Sequence, residues 1–415
     1  MTAPRARYST EFLRALPKTD LHCHLDGSLR LSTLIELARE RKVTLPSETE
    51  SGLRELVFKD QYRDLPDYLH GFAYTCAVLT DEEALERVSY ELGVDCLDEG
   101  VRYLEVRFAP QLHVRSGVLD IPRILAAVDR GLARVRREHE ASEAVRLRGE
   151  PPFRFGIVCC AMRMFTAGFG PYFRDLLAVL PHWPVKKVYG IASLSLARAV
   201  VDARDRQGLP VVGFDLAGAE AGHPAHDHVE AYDFCHHHFL KKTVHAGEAY
   251  GPESIFEAIT RLNADRIGHG THLYAVDQVE DDDPHRYVRQ LSEYIADRRV
   301  LIEVCVTSNM QTMPELRRVQ DHPLGRMIQD RLSVTLCTDN RLVSRTTVTE
   351  EIQKVTEAFH LTAAELRNTL LHGFKRSFFP GSYKEKRAYV RQVIDFYDRV
   401  SKEHGLPTVE RGADR

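Results

Sequence analysis

The 415-residue sequence lacks any run of about 20 apolar residues of the kind a membrane helix requires, and its start, MTAPRARYSTEF, has no apolar signal-peptide core. A cytoplasmic protein with no membrane partner is therefore expected. Charge of one sign is not in excess either, since 56 Lys and Arg stand against 60 Asp and Glu, a net of −4. A field that small draws the chain neither to nucleic acid nor to anionic lipid. The eight cysteines form no CxxC pair, and most sit in apolar runs where a thiol behaves as a small hydrophobe, so no disulfide framework is expected. No G-x-S-x-G, P-loop or G-x-G-x-x-G fingerprint stands in a suitable context, which leaves serine-hydrolase and dinucleotide readings without support. With 43% hydrophobic and 28% charged residues, the composition excludes disorder and collagen and allows a large core.

What is present is an alternation. Short runs rich in Val, Ile and Leu occur at 19–25, 102–108, 153–159, 210–216, 242–246, 266–268, 299–305 and 332–338. Amphipathic stretches lie between most of them; in 82–100, Leu85, Val88, Leu92 and Leu97 recur at helical spacing before a glycine. An open doubly wound sheet produces the same alternation, but eight strand-helix units point to a closed (β/α)8 TIM-type barrel. The long interval after the first strand predicts extra helices there, with 45–74 as a lid, and 382–404 predicts a C-terminal helix before a frayed tail, GLPTVERGADR. No repeat or linker marks a boundary, so one domain is expected over 1–415, with a catalytic core at about 12–379 and a helical extension at about 380–405. Nothing in the pattern selects an oligomeric state.

The polar residues gather at strand ends. In the first strand, the period of two puts Asp20, His22, His24 and Asp26 on one face, and two imidazoles so spaced can close on one metal ion. The fifth run ends in His245, with Glu248 three residues on; the sixth ends in His269 between two glycines; the eighth is followed by Asp339 and Asn340. Each has a structural explanation alone, but all fall at the carboxyl ends of strands, where a barrel builds its active site. Three histidines and a carboxylate suit zinc, and less specifically iron, cobalt or manganese. The expected ligands are His22, His24, His245 and Asp339, around one zinc ion per chain with a position open to water. Glu248 is then the general acid/base, and His269 the residue that orients or deprotonates that water, with Asp339 helping to hold it.

Together the runs PKTDLHCHLDGSL, EGVRYLEVRFAP, GFDLAGAE, VHAGE, RIGHG, EVCVTSN and LCTDN resemble, in order, the motifs of the adenosine deaminase family, from about residue 17 to about 379. The resemblance implies an amidohydrolase-type barrel whose single zinc supports replacement of a purine 6-amino group by oxygen. It matches His22, His24, His245 and Asp339 to the metal ligands, Glu248 to the proton shuttle and His269 to the water-orienting base. It also matches Gly218 to a backbone contact with the purine and Asp26 to the ribose hydroxyl, with His24 and Asn340 beside the substrate. A purine nucleoside, adenosine or 2′-deoxyadenosine, is the implied small-molecule partner; adenine, a modified adenosine or an AMP-type nucleotide are alternatives, as is a nucleoside-binding protein without chemistry.

Where the family pattern has two aspartates after the eighth strand, this chain has Asp339 and Asn340, and an amide donates a hydrogen bond to a purine nitrogen without having to hold a proton. Asp26 favours a 5′-hydroxyl over a 5′-phosphate by charge, unless a lid arginine such as Arg54 or Arg63 reverses it. The carboxyl end of the fourth run, 213–218, holds no lysine to bridge two metals. The cluster His223, His226, His228 and His236 to His238 invites a second metal site, but its setting reads as a solvated loop and helix end.

Overall fold

The computed structural model describes residues 8–406. Most of the expected tail and the first seven residues of the expected leaderless start lie outside the described residues. Eight strands, β1 (Lys18–His24), β2 (Val101–Phe108), β3 (Arg154–Met162), β4 (Val211–Ala217), β5 (Lys241–Ala246), β6 (Arg266–His269), β7 (Leu301–Val304) and β8 (Ser333–Leu336), occupy all eight runs. They pair in parallel in the order β1 to β8. The barrel closes at one bridge, Cys23 to Asp339, where the His24 amide donates to the Asp339 carbonyl at 2.7 Å and the Asp339 amide to the His22 carbonyl at 2.8 Å. Helices cover the outside and side chains fill the inside, so the strands are buried along nearly their whole length.

β7 is shorter than 299–305 because Arg299 adopts φ 52° to end the helix Pro284–Arg298, while Cys305 already caps the next helix. The period of two in β1 is interrupted by a register shift between Asp20 and Cys23. Asp20 joins no metal-binding group; it accepts from the Thr338 hydroxyl (2.6 Å) and amide (3.3 Å), lacing the first strand to the segment after β8.

The interval after β1 holds helices Leu31–Arg41, Glu50–Leu56, Leu65–Leu69, Phe72–Val78 and Glu82–Asp98, and residues 65–77 roof the barrel mouth. Asp81 caps Glu82–Asp98 through the Ala84 amide. The C-terminal helix, Tyr383–Glu403, begins with a Ser382–Glu385 capping box. No helix among the described residues is long and apolar enough to cross a membrane.

Charge fills the barrel interior. Arg107 on β2 reaches across to Asp215 on β4 (2.9 Å) and Glu303 on β7 (2.7 Å); Arg266 on β6 binds Glu303 (2.6 Å) and Glu105 on β2. All five side chains are buried, so this lattice fixes the strand ends that carry the site.

Candidate active site

At the carboxyl ends of the strands, His22 and His24 (β1), His245 (β5), His269 (β6) and Asp339 meet. Asp339 Oδ1 lies 3.4 Å from both His22 Nε2 and His24 Nε2, and His24 Nε2 lies 3.2 Å from His245 Nε2. One atom each from His22, His245, His269 and Asp339 falls within 4.8 Å of the others. Both His269 (φ 64°) and Asp339 (φ 60°) adopt left-handed backbone conformations, strain of the kind that gathers at functional sites.

Interior carboxylates aim the rings. His22 Nδ1 donates to Glu303 at 3.0 Å and His245 Nδ1 to Asp215 at 3.1 Å, so both turn Nε2 toward the cluster. His22 Nε2 is buried without a hydrogen-bond partner. Burial and Arg107 oppose charge on His22, but Asp339 and Glu303 outweigh them and raise its pKa: this position calls for a positive charge. Burial holds His24 well below the ordinary imidazole range, neutral and ready to ligate. Asp339 stays ionised because the neighbouring imidazoles overcome the cost of burial and push its pKa well down. The donor set therefore fits a cation such as zinc.

A relay fixes His269. The Leu324 amide donates to His322 Nδ1 (3.1 Å), so neutral His322 donates from Nε2 to Asn309 Oδ1 (3.2 Å), and the Asn309 amide donates to His269 Nδ1 (3.0 Å). Burial keeps His322 neutral by lowering its pKa to about 3. His269 then carries its proton on Nε2, which lies 3.6 Å from Glu248 Oε1. Burial raises the Glu248 carboxyl to about 8; Asp339 and Glu220 push the same way, against His245. Glu220 builds the turn that presents Glu248, accepting from the amides of Gly247 (2.9 Å), Glu248 (3.0 Å) and Ala249 (2.7 Å) and from the Ser254 hydroxyl.

These groups open into a cavity of about 630 Å³ that His24, Asp26, Gly218, Glu248, Asp339 and Asn340 line together. Asp26 keeps Oδ1 buried and without a partner. Gly218, at φ 98°, presents backbone rather than side chain. Asn340 spends one amide proton on the Tyr68 hydroxyl (2.8 Å), leaving a second donor. It also crowds Gly27, whose missing Cβ would lie 1.9 Å from Asn340 Oδ1. Ser308 (2.6 Å) and Tyr68 (3.3 Å) donate to Asp339 Oδ2.

Asp215, Glu303, Glu220, Ser308, Asn309, His322 and Tyr68 went unnoticed in the sequence. Asp215 and Glu303 did leave a signal, because a carboxylate inside a buried parallel strand is too costly unless something compensates it. Arg54 and Arg63 do not line the cavity; they pair with Glu50 and Asp67. In the histidine-rich segment, His228 is not solvated as expected but buried, bonded to the Ser193 hydroxyl at 2.8 Å. That segment contributes to no metal-binding group among the described residues.

Residues 17–164 and 187–396 match the family described as adenosine deaminase. The chain is 32% identical over 380 residues to an adenosine deaminase of Vibrio atlanticus (91% of this chain, 99% of that one). It is 34% identical over 399 residues to one of Mycobacterium avium (95% and 98%). A solved amidohydrolase from Burkholderia ambifaria with bound zinc shares the fold at a TM-score of 0.73 and 20% identity, covering 98% of this chain and 96% of that one. With its cluster of histidines and an aspartate beside a buried acid at the mouth of an eight-stranded barrel, the chain belongs to the adenosine deaminase family of the amidohydrolase superfamily.

Proposed function

We propose that the protein hydrolyses adenosine and 2′-deoxyadenosine to the corresponding inosines and ammonia, using one zinc ion held by His22, His24, His245 and Asp339. The observation that carries this reading is the convergence of those four side chains beside a buried Glu248, whose pKa is raised to about 8, in a cavity large enough for a purine nucleoside. A divalent ion held by those residues would supply Lewis acidity there, lowering the pKa of a water toward about 7.

The chain's own groups do the rest. Gly218 meets the purine through its backbone, Asp26 takes a sugar hydroxyl, and the spare amide proton of Asn340 faces the purine N7. Glu248 protonates the ring nitrogen next to C6, so that the carbon accepts an oxygen nucleophile without charge building on the ring. Because Asn309 occupies its Nδ1, His269 donates from Nε2; this supports orienting the incoming oxygen over deprotonating it. As the C6–oxygen bond completes, the Glu248 carboxylate takes the proton of the added hydroxyl and passes it to the amino group, the C6–N6 bond breaks, ammonia leaves and C6 keeps the oxygen as a carbonyl.

The test is a panel of adenosine, 2′-deoxyadenosine, adenine, AMP and N6-substituted adenosines with purified protein, following ultraviolet change and released ammonia, with and without chelator. Turnover of the two nucleosides that chelator abolishes and zinc restores is expected. Preference for AMP or adenine replaces this substrate assignment, and binding without turnover makes the chain a nucleoside-binding protein.

A further inference from the structure

On the Asp26 side of the cavity, under the roof, lies a second group of side chains whose geometry could hold a metal ion, sharing no residue with the first. Asp26, Cys76 and His113 each offer one atom, and these lie within 4.8 Å of one another. They come from three separate places: the turn after β1, the roof helix Phe72–Val78 and the short helix Pro110–His113 after β2.

His113 is fully buried, and its Nδ1 faces the Leu79 carbonyl at 3.2 Å. A carbonyl only accepts, so the neutral ring carries its proton on Nδ1 and turns an Nε2 lone pair toward Asp26 Oδ2, 3.8 Å away. That Nε2 has no hydrogen-bond partner, and neither does the buried Asp26 Oδ1. Electron-rich atoms facing each other away from water are favoured by a cation between them. Cys76 completes the triangle and is the one cysteine of the eight not fully buried. Nitrogen, thiol sulfur and carboxylate oxygen make a donor set for a borderline-soft divalent cation, with a fourth position toward the cavity.

We propose that Asp26, Cys76 and His113 form a second, inhibitory site for a thiophilic divalent cation of the zinc or cadmium type. Burial and the Asp26 carboxylate keep the Cys76 thiol protonated in the free protein, so binding forms a metal–sulfur bond and releases that proton to solvent. Asp26 and Cys76 line the same cavity as Glu248. An ion on Asp26 removes the carboxylate assigned to the sugar hydroxyl and ties the roof helix to the barrel; the inhibitory part of the proposal rests on that assignment.

The test titrates zinc-loaded enzyme with cadmium and reads the ultraviolet cadmium–thiolate charge-transfer band. The catalytic cluster holds no sulfur, so exchange there gives no such signal. Expected are a band saturating at one equivalent in the wild type, its loss in Cys76→Ser, affinity weakened more than about tenfold in His113→Asn, and competition by inosine. No band in the wild type, or an equal band in Cys76→Ser, overturns the site. A band that inosine leaves unchanged overturns its inhibitory role. Absence of adenosine turnover beside an intact band counts against the proposed function, not against this site.

Discussion

Below the mouth of the barrel, Arg107 and Arg266 are matched by Asp215, Glu303 and Glu105 at ion-pair distance, all shielded from water. A few ångströms above, His22 Nε2 and His269 Nε2 are just as buried but have no hydrogen-bond partner. The lower layer balances desolvation within the protein, whereas the upper leaves the balance to something brought from outside. Glu303 touches both, holding Arg107 and Arg266 on one side and His22 on the other. Damage below should therefore be felt as lost stability, and damage above as lost chemistry.

The most disruptive test of this division is Glu303→Ala, which takes one of two carboxylate partners from each of two buried guanidinium groups. It is expected to lower the unfolding free energy by about 3–5 kcal/mol in denaturant titrations. Next comes Glu248→Gln, expected to cut kcat by roughly 100- to 10,000-fold with metal content and melting temperature retained; equal loss of stability would blur the two layers. Asp215→Asn straddles them: metal affinity, read by competition with a chelator, should fall about 10- to 100-fold as His245 loses its charged partner.

Glu220→Gln is subtler. Glu248 works protonated, below its pKa, and the Glu220 carboxylate helps to raise that pKa. Removing the charge lowers it, so the alkaline fall in kcat/KM should move to lower pH; a purely structural role would depress the profile without moving it. The smallest effect belongs to Asn340→Asp. The new carboxyl must hold a proton to donate, so KM for adenosine should rise modestly, and more at higher pH.

The upper layer was legible because His-x-His, HAGE and His between glycines, each explicable alone, all fall at the carboxyl ends of strands. β6 itself is only four residues, yet the glycines flanking His269 marked it. In the lower layer only Asp215 and Glu303 left a signal, since Glu105 and Arg107 in RYLEVRF alternate as a half-solvated strand would, and only closure of the barrel shows that the face is interior. Asp20 was assigned to the metal-bearing face because a bulge leaves no trace in the residue pattern. The roof was legible as an insertion, but not the Tyr68 that reaches down from it to Asp339, a contact set by how a short helix docks.

The single bridge that, among the described residues, joins the two ends of the sheet, between Cys23 and Asp339, is also where His22, His24 and Asp339 stand. An ion held there acts as a clasp on the join with the fewest backbone pairs, and adds about 4 kcal/mol to the folded state when free ion exceeds its dissociation constant a thousandfold. The clasp does not exist until the last strand has docked against the first. Ion uptake thus reports a finished barrel, and a chain emerging from the ribosome stays incompetent until β8 and the Asp339 that follows it have been made.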